Sequence, residues 1–176
     1  MTEAARHFDV RAEAAPDYSK YIERVPEGGI VQILERQEKE LLAFFGTLSE
    51  ERSRFRYAPE KWSVRQVMSH IIDSERVFAF RAFWFARGFD SPLPSFDQDV
   101  SERHAEADRR TWKSLVTEFQ HARASTLDVF RELPPEAWLR RGIASDNLFT
   151  VRALAFIIAG HAIHHAEIVK QRYLQP

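Results

Sequence analysis

KWSVRQVMSHIIDSERVFAFRAFWFARG, residues 61–88, opens with the chemistry of a helix start. Ser63 can accept a backbone N–H bond at the N-terminus, and Gln66, three residues on, can return one, the reciprocal arrangement of a capping box. Trp62 before the cap and Val67 at the fourth helical position match a hydrophobic staple. Gly88 offers a natural C-terminal stop. The stretch therefore predicts a long helix from Ser63 to about Gly88.

The sequence on either side follows the same period. Upstream, Ile30, Ile33, Leu34, Gln37, Leu41, Phe44, Phe45 and Leu48 recur at helical spacing and predict a first helix. Downstream, GFDSPLPSFDQDV reads as a Pro- and Asp-rich loop. A third helix is expected to begin near Ser101 and to carry Trp112, Leu115, Phe119, Ala122, Thr126, Val129, Phe130 and Leu133 on one broad face, until LPP stops it. EAWLRRGIASDNLF reads as a short helix followed by an irregular loop or a small hairpin. Thr150 is the expected N-cap of a fourth helix, VRALAFIIAGHAIHHAEIVKQRY. Residues 1–25 show no sustained period and are expected to form an N-terminal arm, extended or as a short helix on the body. Residues 26–176 are expected to form a single domain. Four long amphipathic helices bury their stripes most economically as an all-α four-helix bundle, and the long link between the second and third leaves room for a crossover.

Bulk properties narrow the setting. At 176 residues the chain can bury a real core, and 29% charged against 44% hydrophobic residues argues against wholesale disorder. A formal net charge of −1 with no long basic block gives no basis for capture of nucleic acid or acidic membranes. The chain has no cysteine, which excludes disulfides, thiolate ligands and a cysteine nucleophile, and which fits a reducing compartment. The N-terminal stretch carries charges where a signal peptide needs an apolar run, and no apolar segment reaches membrane-spanning length. A soluble cytoplasmic protein is the expectation.

GHAIHHAEIVKQRY, residues 160–173, places three of the seven histidines within five positions of a hydrophobic helix. His161 and His165 stand one turn apart on one face. They continue the stripe of Leu154, Ile157 and Ile158, so both should point into the bundle, while His164 should point elsewhere, toward a groove or a neighbouring chain. His70, among Val67, Met68, Ile71 and Ile72 of the second helix, can supply a third imidazole. His7 lies in the arm, and His104 and His121 sit among charged residues. Three neutral nitrogen ligands suit Zn, Ni, Fe or Mn and leave positions open for water or substrate. Spacing alone leaves a second reading open, in which the histidines are a hydrogen-bonded polar seam of the core or of a dimer interface.

Trp62, Ser63, His70 and Asp73, in the pattern W-S-x-x-x-x-x-x-H-x-x-D, together with G-H-x-x-H-H in the last helix, resemble the DinB-like superfamily of metal-binding four-helix bundles. The likeness takes in SERVFAFRAFWFARG and FDQD and runs from about residue 30 to the end of the chain. It implies a divalent metal held by one histidine of the second helix and two of the last, which here fall on His70, His161 and His165. It also implies activities of two kinds, hydrolysis and transfer to or from a low-molecular-weight thiol such as bacillithiol or mycothiol. Lacking cysteine, this chain would take its thiol from a small-molecule cosubstrate.

Around that set the assignments are less sharply drawn by sequence. Asp73 can orient an imidazole or pair with Arg76 or Arg81. Asp97 and Asp99 can supply a general base or a loop latch, or Asp99 or Ser101 can cap the third helix. These make Asp73 and Asp97 the catalytic candidates. Glu167 should face away from the metal. Phe80, Phe83, Trp84 and Phe85 exceed what one core face can absorb and predict a homodimer. The competing functional reading is a non-enzymatic, stress-linked, metal-binding dimeric bundle.

Overall fold

The computed structural model describes residues 13–174. Its elements in chain order are α1 (Ser19–Ile22), α2 (Ile30–Gly46), α3 (Val64–Ala86), α4 (Gln98–Ala105), α5 (Trp112–Arg131), β1 (Arg141–Ala144), β2 (Asn147–Thr150) and α6 (Val151–Ile168). Short 3-10 turns precede α1 and fill several links, and a π turn over Val169–Tyr173 extends α6. Residues 1–12 of the expected arm, including His7, lie outside the described residues. The remainder of the arm forms the turn Pro16–Tyr18 and α1, packed on α6.

The predicted helix ends are present in detail. Ser63 accepts from the Gln66 backbone N–H while the Gln66 side chain accepts from the Ser63 N–H, so two otherwise orphaned donors are satisfied. Gly88, with φ of 83°, turns the chain in the left-handed region that a side chain would resist. Thr150 accepts from Ala153 N at 3.0 Å and starts α6.

One boundary differs from expectation. The third bundle helix begins at Trp112, capped by Thr111, rather than near Ser101. Residues 98–105 form the separate helix α4, capped by Asp97 and ended at Glu106, whose φ is 46°. The break lets residues 108–110 present backbone carbonyls to the start of α3. There Arg65, almost fully buried, donates to the carbonyls of Asp108 and Arg110 and pairs with Glu50.

Contacts along the helices fix the bundle order. Arg65 at the start of α3 meets the residues just before α5, and Glu75 midway along α3 meets Arg123 midway along α5, so α3 and α5 run parallel. Tyr173 Oη donates to Trp62 O at one end of α6 and Arg140 reaches Ala86 O near the other, so α3 and α6 are antiparallel. Helix α2 is antiparallel to α5, with Trp112 Nε1 on Phe45 O and Arg131 on Glu35. It is parallel to α6, with Gln37 on Ala159 O and Lys170 over the Phe44 ring. The directions in chain order are up, down, down, up, and α2 and α3 sit diagonally, as do α5 and α6. The segment after α3 must therefore return the length of a 23-residue helix, about 34 Å at ~1.5 Å per residue, before α5 can start beside α3. It is a true crossover.

The apolar core falls into two clusters. One holds Leu34, Phe78, Leu127 and residues 153–159; the other holds Leu41, Met68, Phe119, Ala162 and Ala166. Between them runs a polar belt across the bundle, made of Gln37, His70, Ser74, Glu75, Arg123, Thr126 and His161, all buried. One half of that belt is closed on itself. Arg123 donates to both carboxylate oxygens of Glu75 at 2.6 and 2.9 Å, to Gln37 and to Leu34 O.

Candidate metal centre

The other half of the belt holds the histidines. Helix α3 sets His70 and Ser74 on its inner face one turn apart, and antiparallel α6 sets His161 and His165 opposite them. The three ring centroids lie 4.4–4.9 Å from one another. Their ligand-capable nitrogens all fall within 4.8 Å, and the Nε2 atoms of His70 and His161 are 3.1 Å apart. Two nitrogens holding one ion at about 2.0–2.1 Å stand at roughly such a separation. Ser74 Oγ lies 3.5 Å from His70 Nδ1, a long contact that leaves Nε2 directed at the other rings.

Electrostatics keeps these rings neutral. His70 and His161 are 7% and 5% exposed. Burial lowers the His70 pKa to about 4, partly opposed by Asp99. Burial, with His70, His164 and Lys20 adding to it, lowers His165 to about 3. His161 is pushed well below its usual value by burial and then by the neighbouring histidines and Lys20. Neutral imidazoles present lone pairs, the state in which they ligate a cation. Aromatic rings fence the group: Trp62 lies 5.1 Å from His70, and Tyr21 and Phe78 lie 5.2 and 6.1 Å from His161. The three residues fit a divalent ion on donor chemistry, neutrality and convergence.

Gly160, the first residue of the G-H-x-x-H-H pattern, has a part in this through the packing it allows. A Cβ there would stand 1.9 Å from Tyr21 O, so its absence lets α1 lie directly on α6. The Tyr21 ring then sits against His161 and, at 5.5 Å, His164.

The remaining sequence candidates are spread around the centre. His164 is turned out of the cluster into a groove with Arg24, Tyr57, Glu167 and Arg172. Glu167 pairs there with Arg24. Asp73 accepts from Ser101 Oγ at 2.7 Å and faces Arg76 at 3.8 Å, tying α4 to α3. Asp97 caps α4 through Asp99 N and Val100 N. Asp99 is the carboxylate whose charge is felt at His70. Phe85, expected in an interface, is instead core at 1% exposure, where it meets Gly142 of the hairpin. Phe80 and Phe83 are exposed, and Trp84 stacks on Phe89 at 4.1 Å.

A four-helix bundle with up-down-down-up order and three convergent histidines defines a recognisable class. The sequence profile of the DinB superfamily matches residues 33–169, and this chain belongs to that superfamily. The fold is similar to that of YfiT from Bacillus subtilis, a probable metal-dependent hydrolase with an unusual four-helix bundle topology, at TM-score 0.71 and 16% identity over 93% of each chain. It is also similar to a mycothiol-dependent maleylpyruvate isomerase, at TM-score 0.66 and 10% identity, over 78% of this chain and 58% of that one. No curated protein sequence matches the chain. No helix among the described residues is long and apolar enough to cross a membrane.

Proposed function

We propose that this protein is a divalent-metal-dependent enzyme whose ion is held by His70, His161 and His165, and that it acts in hydrolysis or in low-molecular-weight-thiol transfer. The observation that carries the reading is three convergent, neutral imidazoles, His70 and His161 buried and His165 half-buried, with no side-chain carboxylate hydrogen-bonded to them among the described residues. A core seam of this kind gains little stability from its own hydrogen bonds, whereas a cation would engage all three lone pairs. A divalent ion bound there supplies Lewis acidity, which serves both reaction classes. His70 and His161 also line an aromatic-walled cleft of about 180 Å³, room for a small molecule beside the centre.

The thiol arm of the proposal is supported by the mycothiol-dependent relative in fold, the hydrolytic arm by YfiT. Elemental analysis of untagged protein, with the His70→Ala, His161→Ala, His165→Ala and His164→Ala variants, tests the centre. Metal should be lost in the first three and kept in the fourth; retention in all three would leave the histidines as core polar residues. Metal-loaded protein offered bacillithiol, mycothiol or glutathione with an electrophile separates thiol transfer from hydrolysis. The alternative, a metal-binding bundle without catalysis, draws on the lack of a carboxylate bonded to the histidines, and is favoured if every such assay is silent on fully loaded protein.

A homodimer through the exposed Phe80, Phe83 and Phe89, with the half-buried Trp84 between them, belongs to the same proposal. Sedimentation equilibrium should give twice the chain mass, and a monomer at micromolar concentration rejects it.

A further inference from the structure

Three arginines are buried among the described residues: Arg65, Arg81 and Arg123. Arg65 is paired with Glu50 and Arg123 with Glu75. Arg81, 3% exposed, has no carboxylate partner among the described residues. Its Nη2 donates to Pro94 O at 3.1 Å and to Ser145 Oγ at 2.8 Å, Tyr18 lines the same cleft beside it, and it leans toward the Phe78 ring. All of these are neutral. A guanidinium taken out of water without an anion carries a desolvation penalty that neutral acceptors only partly offset. Burial accordingly lowers its pKa, with Tyr18 opposing.

Arg81 differs from the other two in one further respect, its position. His70, Ser74, Val77, Phe78 and Arg81 follow one another along a single face of α3, and His70 and Arg81 line the same cleft. Eleven residues of helix, roughly 16 Å of rise, separate their backbones. The cleft thus has imidazoles at one end, a buried cation at the other, and the rings of Tyr18, Tyr21, Phe78 and Phe96 as its sides.

We propose that Arg81 is the anion anchor of this cleft, and that the small molecule taken up there carries a carboxylate, held by Arg81 at the end away from the histidines. The apolar body of that molecule lies along the aromatic walls. A planar guanidinium matches a carboxylate two-pronged, and the buried site strengthens the charge-assisted bonds. The proposal rests on the reading of the histidine group as the reactive centre for its orientation, and on Arg81 alone for the anion. A purely architectural Arg81, pinning the crossover loop, the hairpin turn and Tyr18 together, would be indifferent to the charge of a ligand.

The test compares benzoate with its neutral isostere benzamide by titration calorimetry on the metal-loaded full chain, with metal content measured on each sample. Benzoate should bind wild type at least about tenfold more tightly than benzamide, as charge-assisted hydrogen bonds imply. In Arg81→Met that advantage should fall to about twofold or less with metal content unchanged, and in Arg81→Lys it should shrink without vanishing. Equal binding of the two probes, or no binding of either at tens of millimolar, overturns the proposal. So does a benzoate advantage that persists in Arg81→Met, which would put the carboxylate on the metal. Should Arg81→Met fail to fold, an unchanged advantage in Arg81→Lys overturns it equally. Wild-type protein that holds no metal yet shows an Arg81-dependent preference sinks the metal reading and leaves this one standing.

Discussion

The polar belt through this bundle has two halves that treat burial in opposite ways. Around Arg123 every charge has an answer within the chain: both Glu75 oxygens are used, Gln37 accepts from the guanidinium, and Gln37 in turn donates to Ala159 O. Around His70, His161 and His165 the rings meet one another and the flanking aromatic rings, and the long Ser74 contact is the one side-chain hydroxyl contact to them among the described residues. The first half is complete as a piece of architecture. The second gathers neutral lone pairs beside a cleft, with His165 half-buried, the arrangement on which the proposed cation site rests. The contrast separates buried polarity whose partners are all within the chain from polarity for which a ligand is proposed.

The largest effect expected is on the closed half. Glu75→Leu leaves Arg123 buried and unpaired, and should cost about 3–5 kcal/mol in urea denaturation. Adding Arg123→Met should recover most of that loss while leaving metal content unchanged. A double variant as unstable as the single would mean that the network does more than balance its own charges.

The open half should respond to metal far more than to mutation. Stripping the ion with EDTA should lower Tm in proportion to the affinity lost, yet leave the helical circular dichroism intact, because two apolar clusters hold the bundle without it. Collapse of the helical signal at room temperature would make the centre structural.

In metal-free protein the same half should make stability depend on pH. His70 and His165 have folded pKa values of about 4 and about 3 against 6.5 in the unfolded chain, so the unfolded chain protonates first as pH falls. Their contribution is full above about pH 6.5 and drains between there and about pH 3–4. Denaturation midpoints that stay flat from pH 7 to pH 4 would contradict the burial of these rings.

Gly160→Ala should act on the wall of the site. The added methyl meets Tyr21 O, so α1 must lift from α6, at a cost of order 1–3 kcal/mol for an overpacked contact. Hydrogen exchange should then quicken over residues 16–22. The smallest change expected is Ser74→Ala. It should leave stability within about 1 kcal/mol and weaken metal binding by up to roughly tenfold if the hydroxyl orients His70. No change in metal affinity would mean that the 3.5 Å contact carries no orientation.

Much of this was written in local sequence. Capping chemistry at Ser63 and Thr150 fixes helix starts because the orphaned N–H groups lie within three residues of the side chain that satisfies them. The helical period puts His161 and His165 on one face and turns His164 away for the same reason, and the apolar neighbours of His70 put it in the core. Where interactions are short in sequence, residue identity suffices.

What escaped the sequence lies between elements distant in the chain. The end of the third helix's run at Glu106 depends on Arg65 needing the carbonyls of residues 108 and 110. The burial of Phe85 depends on the hairpin glycine opposite it. Nothing in the local sequence sets Arg65, Arg81 and Arg123 apart, and only packing reveals that two pair with a carboxylate and that, among the described residues, Arg81 does not. Sequence alone determined a mostly helical bundle, the caps at Ser63 and Thr150, and which histidines could share a face. Tertiary structure decided the up-down-down-up order, the meeting of His70 with histidines ninety-one and ninety-five residues away, and the cation at the far end of their cleft. Helix starts follow from hydrogen bonds a few residues long, whereas a site drawn from two helices distant in sequence exists only once burial has chosen which faces meet.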